Sequence, residues 1–248
     1  MNEAIALAVI GGTGLYALPD FVEERAVNIT TAWGDASGPV RIGRLFGQRV
    51  AFLARHGEGH ALPPHRVNYR ANIGALRDLA PRRVLAINTV GGITDRFGPR
   101  ALAVPGQLID YTHGRDASYW DGPGDMLHAE FGEPYSASFR VALLEAGTRA
   151  GIDLVDGGCY GATQGPRFET RAEVARMRRD GCDLVGMTGM PEAALAREAG
   201  LDYACLAPVA NWAAGCGDGK DIALDEVFSN LAATNALLPK LFEALLQR

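Results

Sequence analysis

The feature that most limits the fold is a repeated junction at which a short apolar run breaks into glycine. "AIALAVI" (4–10) runs into "GGTG", "VLAIN" (84–88) into "TVGG", and "YACLAPVAN" (203–211) into "WAAGCG". Continuous apolar runs of this length, closed by turn residues, read as strands buried on both faces whose ends open into loops. "QLIDYT" (107–112) and "DLVGMT" (183–188) read the same way. Helical patterns lie among them in "NYRANIGALRDLA" (68–80), "SASFRVALLEAGTRAG" (136–151) and "TRAEVARMRRDG" (170–181); the last two close on glycine, as helix ends commonly do. This alternation predicts an α/β fold.

One pair of runs departs from the alternation. "VRIGRLF" and "RVAFLAR" are separated by only Gly47-Gln48, which predicts an antiparallel hairpin and hence a mixed sheet. From Asp225 onward, Val227, Leu231, Leu238, Leu241 and Leu245 fall on one helical face, with a kink expected at Pro239. No repeat or linker divides the 248 residues. The expectation is a single domain over 1–248, a mixed twisted sheet flanked by helices.

Charge and composition exclude several classes. The net charge of -5 is spread along the chain with no basic block to neutralise a nucleic-acid backbone. The start, "MNEAIALAVIGG", has an apolar run too short and wrongly flanked for a signal peptide, and no run approaches a membrane span. Cys159, Cys182, Cys205 and Cys216 lie far apart without CxxC pairing, a pattern of reduced buried thiols. The expected location is the cytoplasm, without nucleic-acid or membrane partners.

The loops carry the chemistry. Gly12-Thr13-Gly14-Leu15-Tyr16-Ala17 fits G-x-G-x-x-A, but Pro19 and Asp20 interrupt the long helix a dinucleotide motif needs. A small-anion cradle of backbone N–H groups with the Thr13 hydroxyl, a plain tight turn and a dinucleotide site all stay open, in that order. "ARHGEGHALPPHRVNYRANI" (54–73) brings Arg55, His56, His60 and His65. Gly57 and Gly59 disfavour the helix that a zinc-binding histidine pair would require. An arginine fork gripping phosphate beside His56 is the favoured reading, with zinc and purely structural histidines as alternatives. "INTVGGITDR" and "VGMTGMPEAALAREAG" add Thr89 and Thr188 at further strand ends. Finally, "LAPVANWAAGCG" (206–217) holds one side-chain amide, Asn211, where an apolar run ends at small residues, as a buried strand reaching a cavity would.

Taken together, "IGGTGL", "RHGEGHALPPHRVNYRANI", "NTVGGI", "QGPRFETRAE" and "VGMTGMPEAALAREAG" resemble, in order and over nearly the whole chain, the trimeric purine nucleoside phosphorylases, a family that includes the methylthioadenosine phosphorylases. The resemblance implies a phosphate site from Thr13, Arg55, His56, the backbone around Thr89, and Thr188. It implies Met187 beneath the ribose, Phe168 against the purine, and His128 reaching a neighbouring subunit's sugar pocket in a homotrimer; a surface histidine is the alternative for His128. It also implies no metal and no organic cofactor, phosphate being a co-substrate.

Departures within the family select a substrate. Glu169 and Asn211 match the 6-oxopurine enzymes, whereas methylthioadenosine phosphorylases carry a small residue and an aspartate there. An ionised Glu169 accepts the N1 proton of hypoxanthine but faces a lone pair on adenine; a carboxylate merely complementing a helix dipole is the alternative. At the sugar, Leu224 replaces the histidine of ordinary 6-oxopurine enzymes, and with Val227 and Phe228 resembles the apolar 5′-methylthio pocket; plain helix core is the alternative reading of these three. The combination implies 5′-methylthioinosine as substrate. The runners-up are a general inosine/guanosine phosphorylase, a methylthioadenosine phosphorylase and a non-catalytic nucleoside sensor. The double substitution Asn211→Asp, Glu169→Ser is expected to shift kcat/KM toward methylthioadenosine; an unchanged base preference would refute the base-site assignment.

Overall fold

In a computed structural model, which describes residues 3–219 and 221–247, the apolar runs form one large mixed sheet. Its strands are β1 (Leu7–Gly11), β2 (Val22–Val27), β5 (Val40–Leu45), β6 (Gln48–Ala54), β7 (Val84–Ile87), β8 (Val90–Gly92), β9 (Leu102–Val104), β10 (Gln107–Asp110), β11 (Leu154–Asp156), β12 (Cys159–Ala162), β13 (Leu184–Gly186) and β14 (Tyr203–Trp212), while β3 (Thr30–Thr31) and β4 (Gly34–Asp35) form a separate ribbon. The helices are α1 (Tyr69–Asp78), α2 (Ala137–Ala150), α3 (Arg171–Arg179), α4 (Glu192–Glu198), α5 (Leu224–Asn235) and α6 (Leu238–Leu246). Sheet order is β10-β12-β13-β8-β14-β7-β1-β6-β5-β2, with β9 on β14 and β11 on β9.

Strand β14 is the spine. Its first half pairs in parallel with β7, from Tyr203 against Val84 to Leu206 against Ile87. Its second half pairs in parallel with β8, and the register slips between Val209 and Asn211. On one side, β7, β1 and β6 run parallel to one another. On the other, β13 meets β8 antiparallel, and β12 and β10 follow β13. That reversal aims the C-terminal ends of β12 and β13 at the same place as those of β1, β6 and β7. Ligands in open α/β sheets bind beyond such strand ends where the order switches.

Local signals explain the elements. All five residues of β1 are buried, as expected of a strand covered on both faces. Asn68 caps α1 by accepting from Ala71 N, Ser136 caps α2, and Gly151 ends α2 in the left-handed conformation at φ 65°. Thr170 and Glu173 form a reciprocal capping box at the start of α3. The exposed edge strand β2 carries Glu23, Glu24 and Arg25, and such charge discourages edge-to-edge pairing.

Two expectations need correction. The β5–β6 turn falls on Phe46-Gly47, with φ 47° and 77°, because the tight hairpin turn needs two residues at positive φ and Gly47 supplies the easier of them. The C-terminal segment is also two helices rather than one kinked helix. The expected kink at Pro239 does not occur: Pro239 lies in the first turn of α6, where its missing N–H costs nothing. Val227 and Leu231 pack with Ala210 of β14, whereas Leu238, Leu241 and Leu245 join a different core with Phe139 and Leu143 of α2.

Gly92 marks how tightly the β8 end is packed, since a Cβ there would sit 1.8 Å from the Phe97 carbonyl oxygen. Gly92→Ala should destabilise by about 3 kcal/mol or more in urea denaturation, the upper range of overpacking. Gly38→Ala, with nothing within 4 Å of its Cβ, should stay within about 0.5 kcal/mol.

Candidate active site

A cavity of about 390 Å³ opens where the two halves of the sheet converge. The turn after β1 brings Gly12 and Thr13 to it, β6 brings Arg55 and His56, β7 brings Thr89, β13 brings Met187 and Thr188, and the segment after β12 brings Phe168 and Glu169. Asn211 enters from the slipped half of β14, and Leu224, Val227 and Phe228 from the start of α5. Every residue given a phosphate, base or sugar role from the sequence lines this cavity except His128, which is exposed on the loop before α2. His60 joins the lining; His65 is exposed and stays outside it.

Arg55 departs most from expectation. Instead of a free fork it is sealed at 0% exposure against Glu192, also 0% exposed. Its Nε donates to Glu192 Oε2 at 2.6 Å and its Nη2 to Glu192 Oε1 at 2.8 Å. Nη2 also donates to Asn88 Oδ1 at 3.4 Å, and Nη1 to the Ile87 carbonyl at 3.0 Å. Of five N–H groups, one on Nη1 is left for the cavity. That nitrogen lies 3.1 Å from where a Cβ of Gly12 would be, so glycine is what lets the turn settle on the arginine.

The pair anchors a buried chain of hydrogen bonds. Tyr203 donates its hydroxyl to Glu192 Oε1 at 2.9 Å, and Asn88 Nδ2 donates to Thr188 Oγ1 at 2.8 Å. Thr188 therefore receives one bond at its oxygen, and its hydroxyl also meets the Tyr160 phenol. The backbone N–H groups of Thr188 and Gly189 both point at Tyr160 Oη, at 3.3 and 3.2 Å. Burial pushes that phenol up to about 12, so it remains a neutral acceptor. Thr89 spends its hydroxyl on the Thr13 carbonyl at 3.2 Å, tying two strand-end loops together.

His56 has its Nδ1 2.8 Å from the Leu62 carbonyl. A carbonyl only accepts, so Nδ1 carries the proton and Nε2 of the neutral ring is an acceptor. Burial, helped by the nearby Arg55 charge, pushes His56 down to about 4. The His60 ring stacks on it at 4.3 Å and is held at Nδ1 by Tyr16 Oη at 3.2 Å. Among the described residues no group of histidine, cysteine or carboxylate side chains is placed to hold a metal ion.

At the other wall, Glu169 lies one residue before the cap of α3, and Thr170 with Glu173 performs the capping, so Glu169 takes no part in the capping hydrogen bonds. Thr163 Oγ1 donates to Glu169 Oε1 at 2.5 Å. Burial raises this carboxyl above its ordinary range, and the Thr163 hydrogen bond acts against that rise. Asn211 donates from Nδ2 to the Trp212 carbonyl at 2.7 Å, which fixes the amide's orientation and leaves Oδ1 and one N–H. Leu224 and Phe228 are 58% and 54% exposed, so the core alternative fails for both; Val227, at 8%, is the one that packs inward. Phe168 is likewise 47% exposed. Large apolar side chains left open at a cavity rim mark a surface that something apolar covers.

Sequence reading did not pick out Glu192 or Asn88. Asn88 carried a usable signal, a lone amide ending an apolar run, as Asn211 does. Glu192 carried none, because an acidic residue in the first turn of a helix ordinarily complements the dipole.

The model of the phosphorylase superfamily matches residues 6–245, and the chain belongs to that family. Among relatives, it is 62% identical over 245 residues to the probable S-methyl-5′-thioinosine phosphorylase of Xanthomonas campestris pv. campestris, covering 98% of each chain. Among solved structures, it resembles a methylthioadenosine phosphorylase from an antarctic soil metagenomic library, with a TM-score of 0.91 and 34% identity over 99% of this chain and 86% of that one. It also resembles the Schistosoma mansoni methylthioadenosine phosphorylase in complex with adenine, with a TM-score of 0.92 and 30% identity over 98% and 91% of the respective chains.

Glu192→Gln keeps the shape of the buried carboxylate but removes its charge, leaving Arg55 unpaired. Removing one partner of a buried pair costs about 3–5 kcal/mol, and urea denaturation should read a loss of that size.

Proposed function

We propose that the chain is a purine nucleoside phosphorylase acting on 5′-methylthioinosine, giving hypoxanthine and 5-methylthioribose 1-phosphate. The observation that carries this reading is that one cavity joins a carboxylate and an amide, Glu169 and Asn211, to an exposed apolar rim of Leu224 and Phe228. The Xanthomonas relative, a probable S-methyl-5′-thioinosine phosphorylase, supports the same reading.

Phosphate attacks the anomeric carbon while the glycosidic C–N bond breaks, through a sugar with oxocarbenium character. The phosphate oxygen forms the new bond, the purine leaves with the bond's electron pair, and no protein nucleophile is needed. The protein's task is to hold the anion in line and stabilise the departing base. Thr188 turns its hydroxyl proton to the anion, Arg55 donates its remaining N–H and the Gly12-Thr13 turn its backbone N–H groups, while neutral His56 accepts the O–H of hydrogen phosphate at Nε2. Met187 supports the ribose and Phe168 covers the purine.

At the base, ionised Glu169 accepts the N1 proton of a 6-oxopurine, and Asn211 uses its remaining N–H toward the base as charge develops. Adenine, unprotonated at N1, would leave the carboxylate unmatched. At the sugar, a 5′-methylthio group meets carbon on Leu224, Val227 and Phe228, whereas a 5′-hydroxyl set against these three finds no partner. Phosphate is a co-substrate and no metal or organic cofactor takes part. We also read the enzyme as a cytoplasmic homotrimer: its four cysteines are free thiols, and His128 is exposed and does not line its own cavity, as a residue serving a neighbour's would be. No helix among the described residues is long and apolar enough to cross a membrane.

An unpartnered hydroxyl costs about 1–3 kcal/mol, so kcat/KM for methylthioinosine should exceed that for inosine by roughly 5- to 150-fold with phosphate in excess. Leu224→His should narrow that ratio. Equal rates on both nucleosides would overturn the sugar assignment, a preference for methylthioadenosine the base assignment, and binding without base release would identify a sensor.

A further inference from the structure

Arg115 lies in the loop after β10, outside the cavity lining, yet it holds both walls of the cavity. Its Nη1 donates to the carbonyls of Met187 at 2.9 Å and Met190 at 2.5 Å, and to Tyr69 Oη at 3.3 Å. Its Nη2 donates to the carbonyls of Gln164 at 2.8 Å and Thr163 at 3.3 Å, and its Nε to Gln164 Oε1 at 3.2 Å. The guanidinium carbon stands 5.3 Å from the centre of the Tyr69 ring. All of these acceptors are neutral oxygens.

The acceptors come from two segments with different tasks. Thr163 and Gln164 follow β12 and lead to Glu169, whose carboxylate Thr163 itself holds. Met187 and Met190 follow β13 and bracket Thr188, beyond which α4 begins with Glu192, the partner of Arg55. The segments touch where Gly165 faces Met187: a Cβ there would lie 2.6 Å from the Met187 sulfur. A planar fork bonded to both sides fixes their spacing in a way that a single ammonium cannot.

We propose that Arg115 is a positioning residue that couples the base wall to the phosphate wall, so that filling either half organises the other. This rests on the reading of Glu169 as a base contact and Thr188 as a phosphate contact. Hypoxanthine and inorganic phosphate share no bond when the ribose position between them is empty, so an effect of one on the other that is lost on substituting Arg115 passes through the protein.

The test is calorimetric titration of hypoxanthine into the full-length protein with and without saturating inorganic phosphate, for wild type, Arg115→Met and Arg115→Lys, with thermal melts to establish folding. In the wild type, phosphate should tighten hypoxanthine by about fivefold or more, the lower range of coupling between sites. In both variants that factor should fall toward one, while the affinity for hypoxanthine alone changes by less than about threefold, a split that a purely structural residue would not produce. Wild-type protein without a phosphate effect, or a folded variant that retains it, overturns the proposal; should Arg115→Met not fold, Arg115→Lys alone decides. Glu169→Gln runs in parallel: if it leaves hypoxanthine binding unchanged, the base-site reading has failed, which the Arg115 coupling factor does not measure.

Discussion

The ion pair of Arg55 with Glu192 is the constraint around which the rest of the site is arranged. Taking two opposite charges out of water is costly, and the cost is met only where both ions are fully hydrogen-bonded. Here both carboxylate oxygens receive arginine donors and Tyr203 adds another. Asn88 and the Ile87 carbonyl occupy further arginine donors. The pair joins β6 to α4 and, through Asn88, reaches Thr188, so residues far apart in sequence are set by one buried junction. Its electrostatic consequence is that the cavity faces an arginine already neutralised. An anion held there relies on directed N–H and O–H groups more than on net charge, which suits an enzyme that must also release an anionic product.

Around this junction the sheet places two kinds of chemistry on opposite walls. Parallel strands β1, β6 and β7 lead to hydrogen-bond donors, and the segment after β12 carries the Glu169 carboxylate, which burial makes easier to protonate than usual. The antiparallel step between β13 and β8 is what turns the second group of strands toward the first. A uniformly parallel sheet would carry those loops away from one another. The slip in β14 between Val209 and Asn211 lies at the same place, and an irregular register is one way a strand re-aims a side chain.

Much of this was legible in sequence because the informative residues occupy strand ends, where apolar runs stop abruptly. Gly12-Thr13, Arg55-His56, Thr89, Thr188 and Asn211 all follow that rule, and the hairpin followed from spacing. The short strands β8, β9 and β11 were not legible, because three residues carry no periodicity and their pairing is decided by distant neighbours. Glu192 and Arg115 were hidden for a related reason: their partners are carboxylates, carbonyls and amides brought together only by the fold. The same holds for Arg55, whose identity suggested an open anion grip but whose geometry depends on a residue 137 positions later.

Helix α5 rests on β14 through a small cluster of Ala210, Val227 and Leu231, separate from the two large cores. Leu224 and Phe228 lie on the same helical face as Val227, but they stay more than half exposed and carry little of that packing. This part of the cavity rim is thus built from side chains that can change with little effect on folding. Under the proposed sugar assignment, exchanging a few side chains on one helical turn would give a new sugar range and leave the residues around the Arg55–Glu192 pair in place.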